Sequence, residues 1–201
     1  FLAFFLFAIF RAKYSGKFKY LYILPAVEIF WVNSHIYFIV GPVLLFLFLI
    51  DRLAYDQVKL QRAPLYAKVP LYAKVPFVIF VLTSLSTLVN PNFIRGALAP
   101  LIILKNYGYS IVENQSIFFL TDYGILERPI ALFEFSLVIL IVSFIIAFIK
   151  KRPLLFELLT AIFFTILGGK MLRNFGLYGL VFGPLVAINF SALTTPLWLQ
   201  R

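Results

Sequence analysis

Long apolar runs follow one another along this chain, and the short stretches between them carry most of its charged residues. One run, residues 130–149, contains Glu134 as its only charged residue. Because a helix rises about 1.5 Å per residue, about 20 apolar residues cover the ~30 Å hydrocarbon core of a bilayer. The chain is 63% hydrophobic and 13% charged, whereas a soluble domain is about half apolar and a quarter charged. These features predict an all-α, polytopic transmembrane helical bundle and exclude a water-soluble fold.

Composition also excludes several kinds of site. The chain has no cysteine and one histidine, which excludes disulfides and thiolate metal sites and argues against a histidine metal cluster. Its net charge is +10, but the basic residues lie between apolar runs, so nucleic acid is not an expected partner. We expect a single membrane domain over residues 1–201. Because the first apolar run precedes its basic cluster, we expect this domain to be the later part of a longer protein that lacks its N-terminal part here.

Lysine and arginine concentrate in three stretches, which are residues 11–19, 52–74 and 150–152. Cytoplasmic loops are enriched in these residues, so we place all three stretches inside. The apolar region of residues 18–50 then begins and ends on the same side. This predicts a helical hairpin with arms of about 15 residues each and a tip near Asn33. The alternative is one long tilted helix, which would put a basic cluster outside.

The remaining apolar runs alternate across the membrane and bring the predicted total to about seven crossings. Residues 76–89 run outward, and residues 90–129 form an extracytoplasmic loop after the fourth crossing, in which acidic and basic residues balance. Residues 130–149, 154–169 and 177–193 then run inward, outward and inward.

A tandem repeat lies in the second basic stretch, where residues 64–69 and 70–75 both read PLYAKV. Proline at every sixth residue disfavours a regular helix, so we expect a loop there. Two copies are too few for a solenoid. A tolerated duplication without chemistry is therefore the favoured interpretation.

On this topology, the polar residues outside the basic loops share the extracytoplasmic face. Lys170 and Arg173 are the most informative, because cations on that side break the charge bias. Spaced three apart, they are predicted to lie on one side of a helix and to bind an anionic phosphate. The alternative is that both extend to lipid headgroups. The predicted group comprises Asn33, His35, Asn90, Asn92, Arg95, Glu113, Gln115, Lys170, Arg173 and Asn174.

Three other side chains each have a functional and a structural interpretation. Glu113 is either a general base and sugar-hydroxyl acceptor or a solvated loop carboxylate. His35 either orients a substrate or shuttles a proton, or it is a buried histidine that caps the hairpin tip. Glu28 lies within a predicted span, where a carboxyl is costly, and is a lesser functional candidate.

Several short segments, taken in order, resemble one family. They are Trp31-Val32-Asn33-Ser34-His35, Asn90-Pro91, Glu113-Asn114-Gln115-Ser116, Arg152-Pro153 with Glu157, and Lys170-Met171-Leu172-Arg173-Asn174. The order resembles prokaryotic polytopic membrane glycosyltransferases of the C-type fold, which are often described only as hypothetical membrane proteins. The resemblance extends from about Lys19 to Asn189. That family tends to have glycines after the histidine, a glycine at the position of Phe93 and a tryptophan at that of Asn114, and its key acidic residue lies in a first external loop near the N-terminus.

The resemblance implies transfer of a sugar from a polyprenyl-phosphate carrier to an acceptor at the extracytoplasmic face of a prokaryotic cell membrane. The partners it implies are a lipid-linked sugar donor and membrane lipids, and we expect this segment alone to be inactive. The implied roles are phosphate binding for Lys170 and Arg173, catalysis for Glu113, and substrate binding for Asn33, His35, Asn90, Gln115 and Asn174.

Neither the cofactor nor the oligomeric state is readable from the sequence. No metal ligand is predicted in this segment, and a divalent metal in the full-length protein stays open. The alternatives to a transferase are a transporter, whose polar groups would line a path through the membrane, and a noncatalytic scaffold of an envelope-synthesis complex.

Overall fold

The structure is a computed structural model that describes residues 1–62, 71–103, 111–125, 127–150 and 154–194. Every regular element within these ranges is a helix, which confirms the all-α prediction. The chain divides into two compact units, Phe1–Asn106 (unit 1) and Tyr107–Arg201 (unit 2).

Unit 1 contains six α-helices among its described residues. They are α1 (Leu2–Ser15), α2 (Leu24–Val32), α3 (Val40–Arg62), α4 (Leu71–Ser86), α5 (Phe93–Ala97) and α6 (Ala99–Ile103). Two 3-10 helices, Phe18–Ile23 and Ile36–Ile39, lead into α2 and α3. Unit 2 contains α7 (Ile117–Asp122), α8 (Glu127–Ile149), α9 (Leu155–Lys170) and α10 (Phe175–Thr194), with 3-10 helices at Val112–Asn114 and Leu172–Asn174.

Local sequence signals set several of these boundaries. Gly16 has φ 63° and its N–H donates to the Arg11 carbonyl oxygen, a left-handed C-cap that ends α1. His35 has extended backbone, and its side chain accepts a hydrogen bond from the Tyr37 N–H (Nδ1···N 3.3 Å), which begins the 3-10 helix ahead of α3. His35 therefore caps the turn, but its side chain is exposed and not buried as that interpretation expected.

The chain reverses direction near Asn33, which confirms the hairpin and excludes a single long helix over residues 18–50. At one end of α1, the ring of Phe5 packs on Trp31 of α2 with 5.5 Å between centroids. At the other end, Lys13 binds Asp51 of α3. Near the tip, Gly41 of α3 lies against the Glu28 carboxyl of α2. Further along, α4 packs on both α2 and α3.

The predicted length of the second hairpin arm is wrong. Instead of about 15 residues, α3 continues to Arg62, through residues that the sequence analysis assigned to a basic loop. The charges of Asp51 and Arg52 do not end the helix, because Asp51 accepts hydrogen bonds from both Lys13 and Arg52. A paired carboxylate satisfies the polar groups that would otherwise favour a loop.

Unit 1 has a basic end and an opposite amide-bearing end. At the basic end, Asp56 of α3 accepts a hydrogen bond from the Ala73 N–H at the start of α4 (3.0 Å). At the opposite end, the Asn33 side chain donates to the Val89 carbonyl oxygen (2.7 Å) beyond the end of α4. The described parts of the first two basic stretches therefore lie at the same end of unit 1, as the sequence predicted.

The second copy of the tandem repeat contradicts the loop prediction. Residues 71–75 form the first turns of α4, and Pro76 lies inside the helix. Pro76 is the sixth residue of α4, beyond the first four positions where an N–H has no intrahelical acceptor, so the helix continues there without one backbone hydrogen bond. The first copy, residues 64–69, lies outside the described residues.

In unit 2, three long helices alternate in direction. Phe133 of α8 stacks on Phe175 of α10 (4.7 Å between centroids), and Ser143 further along α8 binds Asn189 further along α10. The two helices therefore run parallel. Gly168, near the end of α9, lies against the Phe133 ring, so α9 runs antiparallel to both.

Three helical segments within the described ranges are long and apolar enough to cross a membrane. They are Ile36–Asp56, Arg128–Ile149 and Leu172–Ser191, and a shorter apolar helix covers Ala73–Ser86. The outward surface of α8 is hydrocarbon, with Leu132, Phe135 and Phe148 exposed by 70%, 64% and 82%. Exposed apolar side chains of this size are stable against lipid chains and unfavourable in water.

Candidate functional site

The turn between α9 and α10 carries the two cations that the sequence analysis selected. Lys170 is the last residue of α9, and Met171 after it is extended, with φ −152° and ψ 129°. Arg173 lies in the following 3-10 helix. The prediction that Lys170 and Arg173 share one side of a helix is therefore wrong, because the extended Met171 separates them. Both still belong to the same turn.

The turn is held against the segment that contains Glu113. The Leu172 N–H donates to the Gln115 carbonyl oxygen (N···O 3.2 Å), and the 3-10 helix Val112–Asn114 packs on the 3-10 helix Leu172–Asn174. Ser116 then caps α7, its hydroxyl accepting a hydrogen bond from the Phe119 N–H (3.2 Å). The structure thus places the Glu113 segment beside the turn that bears Lys170 and Arg173. We name residues 113–115 and 170–174 together the cation turn.

The side chains of the cation turn differ in exposure. Lys170 and Glu113 are exposed, and Arg173 and Gln115 are partly buried. Lys170 makes no ion pair with any residue that the structure describes. Asn174 is buried and donates to the Leu167 carbonyl oxygen (2.7 Å), which fastens the turn to the last part of α9. Asn174 therefore has a positioning role, and its role in substrate binding stays a prediction.

The second group of predicted site residues lies at the amide-bearing end of unit 1. The Asn33 side-chain nitrogen donates to the carbonyl oxygens of Ile29 and Val89, both at 2.7 Å. One amide thereby ends α2 and joins the hairpin tip to the segment after α4. His35 is exposed and stacks on the ring of Tyr37 with 4.9 Å between centroids.

Asn90 organises the turn that follows α4. Its side-chain nitrogen donates to the carbonyl oxygens of Thr87 (2.8 Å) and Phe93 (2.9 Å), and its oxygen accepts from the Asn92 N–H (2.8 Å). The amide also covers Gly96, where an added Cβ would collide with it. These three hydrogen bonds use most of the donors and acceptors of the Asn90 amide within the turn. Substrate binding by this side chain stays a prediction.

Asn33 and Asn90 line the same open pocket, which has a volume of about 560 Å³. The remaining lining residues are Leu88, Val89, Pro91 and Phe93. Phe93 has φ 51°, the one non-glycine residue with a positive φ in the described chain. These apolar lining residues were not predicted from the sequence, because an apolar side chain in a membrane protein does not by itself indicate a binding site. The glycine that the resembling family has at the position of Phe93 was the available clue.

Metal ligands do not cluster in the described chain. No group of three or more histidine, aspartate or glutamate side chains lies close enough there to hold a metal ion.

Comparison of this chain with models of protein families, with curated protein sequences and with solved structures finds no match. The class of protein therefore rests on the fold itself. The described residues form an all-helical protein with three helices that are long and apolar enough to cross a membrane.

Proposed function

We propose that this protein is a polytopic membrane protein with about seven crossings, whose basic stretches face the cytoplasm and whose cation turn faces the opposite side. In unit 1, the described parts of the first two basic stretches lie at one end, as the charge bias requires. In unit 2, α8 and α10 run parallel with α9 antiparallel. This puts residue 150, at the end of α8, and Lys170, at the end of α9, at opposite ends of that unit.

The orientation is tested by labelling intact cells with a membrane-impermeant amine reagent and mapping the modified lysines by mass spectrometry. We expect Lys170 to be labelled from outside and Lys150 only after the membrane is opened. Lys17 at the other basic stretch is a matched control that should behave like Lys150. Labelling of Lys150 and Lys170 from the same side would contradict the topology.

For the activity, we propose transfer of a sugar from a polyprenyl-phosphate carrier to an acceptor hydroxyl at the extracytoplasmic face, within the full-length protein. The observation that carries this proposal is the cation turn, where Lys170 and Arg173 lie beside the Glu113 segment. Lys170 is an exposed cation at an end that the charge bias leaves poor in lysine and arginine. A carrier phosphate is an anion that suits Lys170 together with the neighbouring Arg173.

Four side chains of the cation turn have roles in this proposal. The bond between the sugar C1 and the phosphate oxygen breaks, and its electron pair goes to the phosphate. Lys170 and Arg173 stabilise the charge that develops there, which lowers the transition-state energy more than that of the bound donor. The acceptor oxygen forms the new bond to C1, and its proton passes to the Glu113 carboxylate. The Gln115 side chain is assigned to sugar or acceptor hydroxyls.

The test is an assay of sugar transfer from a lipid-linked donor, with the full-length protein in membranes. We expect Arg173→Ala to abolish transfer and Arg173→Lys to retain part of it, because lysine keeps the charge and loses the two-oxygen geometry. Lys17→Ala, which removes an exposed cation at the basic end, is the matched control and should transfer normally.

Normal transfer by Arg173→Ala, with normal membrane insertion, would contradict the phosphate role. The competing classes give different results. A transporter would move a solute across sealed vesicles without forming a glycosidic bond, and a scaffold would support neither transfer nor transport by itself.

A further inference from the structure

Unit 1 encloses a carboxyl group that the proposed transfer does not use. Glu28 of α2 is 0% exposed. Neither of its carboxyl oxygens has a hydrogen-bond partner among the residues that the structure describes. The group lies against the backbone of Gly41 in α3, where an added Cβ would collide with Glu28 Oε2 and would come within 2.9 Å of the Phe5 ring of α1. Three helices therefore enclose Glu28.

No charged side chain of the described neighbouring helices lies at the depth of Glu28. On α1, Arg11 lies six residues beyond Phe5, about 9 Å along the axis. On α3, Asp51 lies ten residues beyond Gly41, about 15 Å along the axis. On α4, Lys74 is exposed near the basic end, and His35 is exposed at the hairpin tip.

A buried polar group at a depth similar to that of Glu28 is neutral. Thr83 of α4 is fully buried, and its hydroxyl also has no hydrogen-bond partner in the described part of the chain. Thr83 precedes Val89 by six residues and Glu28 precedes Asn33 by five. Because the Asn33 side chain binds the Val89 carbonyl oxygen, the two groups lie at similar depths in unit 1.

The ionised and neutral forms of the Glu28 carboxyl differ greatly in the free energy of burial. An isolated carboxylate transferred from water to an apolar interior loses tens of kcal/mol of solvation, whereas a neutral polar group without a partner loses about 2–7 kcal/mol. Marginally stable folds do not tolerate the first loss. A carboxylate that is enclosed without a counter-charge is therefore stable only when it binds a cation. The enclosure around Glu28 has space for the smallest cation, a proton, and for no larger one.

We propose that Glu28 is a proton-binding site in the interior of unit 1, which the packed helices hold as the neutral carboxylic acid. The ligand is a proton, because both carboxyl oxygens are buried and Oε2 lies against Gly41, which leaves no space at the carboxyl for a metal cation and its ligands. Gly41 is the residue that makes space for the acid. Uptake and release of the proton require α1, α2 and α3 to separate locally, so the site links protonation to the packing of the hairpin.

The test is infrared spectroscopy of the protein in lipid bilayers, which reads the protonation state without requiring a reagent to reach the site. We expect the spectrum of the wild type minus that of Glu28→Gln to show the C=O stretching band of a protonated carboxylic acid. Glu28→Asp, which keeps the acid group, should move the band rather than remove it, and this variant serves if Glu28→Gln does not fold. The exposed Asp122→Asn is the control and should remove carboxylate bands instead.

Loss of carboxylate bands in Glu28→Gln, with the acid region unchanged, would overturn the proposal. For Glu28→Asp, a shift of the carboxylate bands with no shift of the acid band would also overturn the proposal. The readout is independent of sugar transfer, so failure of the proposed function leaves this result intact.

Discussion

Lys13 of α1 donates a hydrogen bond to Asp51 of α3, with 2.9 Å between Lys13 Nζ and Asp51 Oδ1. Both side chains are 5% exposed. The same carboxylate accepts hydrogen bonds from Arg52, through Nε at 2.9 Å and through Nη2. The Arg52 guanidinium also lies over the rings of Phe48 and Tyr55, 5.4 and 5.2 Å from their centroids. Asp51 is therefore an anion shared by two cations.

The shared anion predicts unequal effects of removing its partners. Asp51→Ala leaves two cations without their counter-charge, which should lower the free energy of unfolding by about 3–5 kcal/mol. Lys13→Ala leaves Asp51 bound to Arg52 and should lose less than half of that. Both are measured by denaturant unfolding in detergent micelles. The exposed Lys17→Ala should stay within about 0.5 kcal/mol of wild type. Equal losses for Lys13→Ala and Asp51→Ala would show that Arg52 does not share the carboxylate.

The start of α4 depends on a side chain from another helix. Asp56 of α3 accepts from the buried Ala73 N–H and so replaces the usual N-cap. Asp56→Ala should lower the free energy of unfolding by about 1–2 kcal/mol, because it leaves a helix-terminal N–H unsatisfied. Asp56→Asn keeps an acceptor oxygen and should lose less. Thermal unfolding followed by circular dichroism compares the two variants. If Asp56→Asn and Asp56→Ala unfold at the same temperature, the hydrogen bond to Ala73 contributes nothing.

The interface of α8 and α10 contains a buried hydrogen bond between Asn189 Nδ2 and Ser143 Oγ (2.9 Å). Hydrogen bonds between membrane helices contribute about 0.6 kcal/mol on average. A double-mutant cycle with Ser143→Ala and Asn189→Ala should give a coupling energy of about that size. The matched control pairs Ser143→Ala with Tyr178→Phe. Because the Tyr178 hydroxyl bonds to Ser136 instead (2.9 Å), these two changes should be additive. Coupling in the control cycle alone would contradict the assignment.

Apolar run length was sufficient to predict the helices of unit 2. Residues 130–149, 154–169 and 177–193 were expected, and α8, α9 and α10 cover Glu127–Ile149, Leu155–Lys170 and Phe175–Thr194. The charge bias similarly predicted the hairpin of unit 1. Both signals extend over many residues, so a single local interaction does not reverse them.

Predictions that depended on single contacts failed. The length of α3 was underestimated because Asp51 and Arg52 read as loop residues until their pairing with each other and with Lys13 is known. The separation of Lys170 and Arg173 depends on the extended Met171, and nothing in the local composition indicates that conformation. The periodicity of apolar residues does not indicate which side chains of different helices pair or which single residue adopts an extended backbone.

Phe93 provides the clearest test of local strain. Its φ of 51° lies in the left-handed region, which costs a residue with a Cβ about 1–2 kcal/mol. Its side chain is 63% exposed, so shortening it loses little packing. Glycine adopts this conformation without the steric cost but loses more conformational entropy on folding, by about 0.5–1 kcal/mol. We therefore expect Phe93→Gly to be more stable than Phe93→Ala by up to about 1 kcal/mol.

The alanine variant is the matched control for this comparison, because it removes the ring and keeps the Cβ. Phe93→Val should be the least stable of the three, since a β-branched residue tolerates positive φ poorly. Denaturant unfolding of the three variants in the same detergent gives the order. If Phe93→Ala is more stable than Phe93→Gly, the turn after α4 relaxes out of the left-handed conformation when the ring is removed.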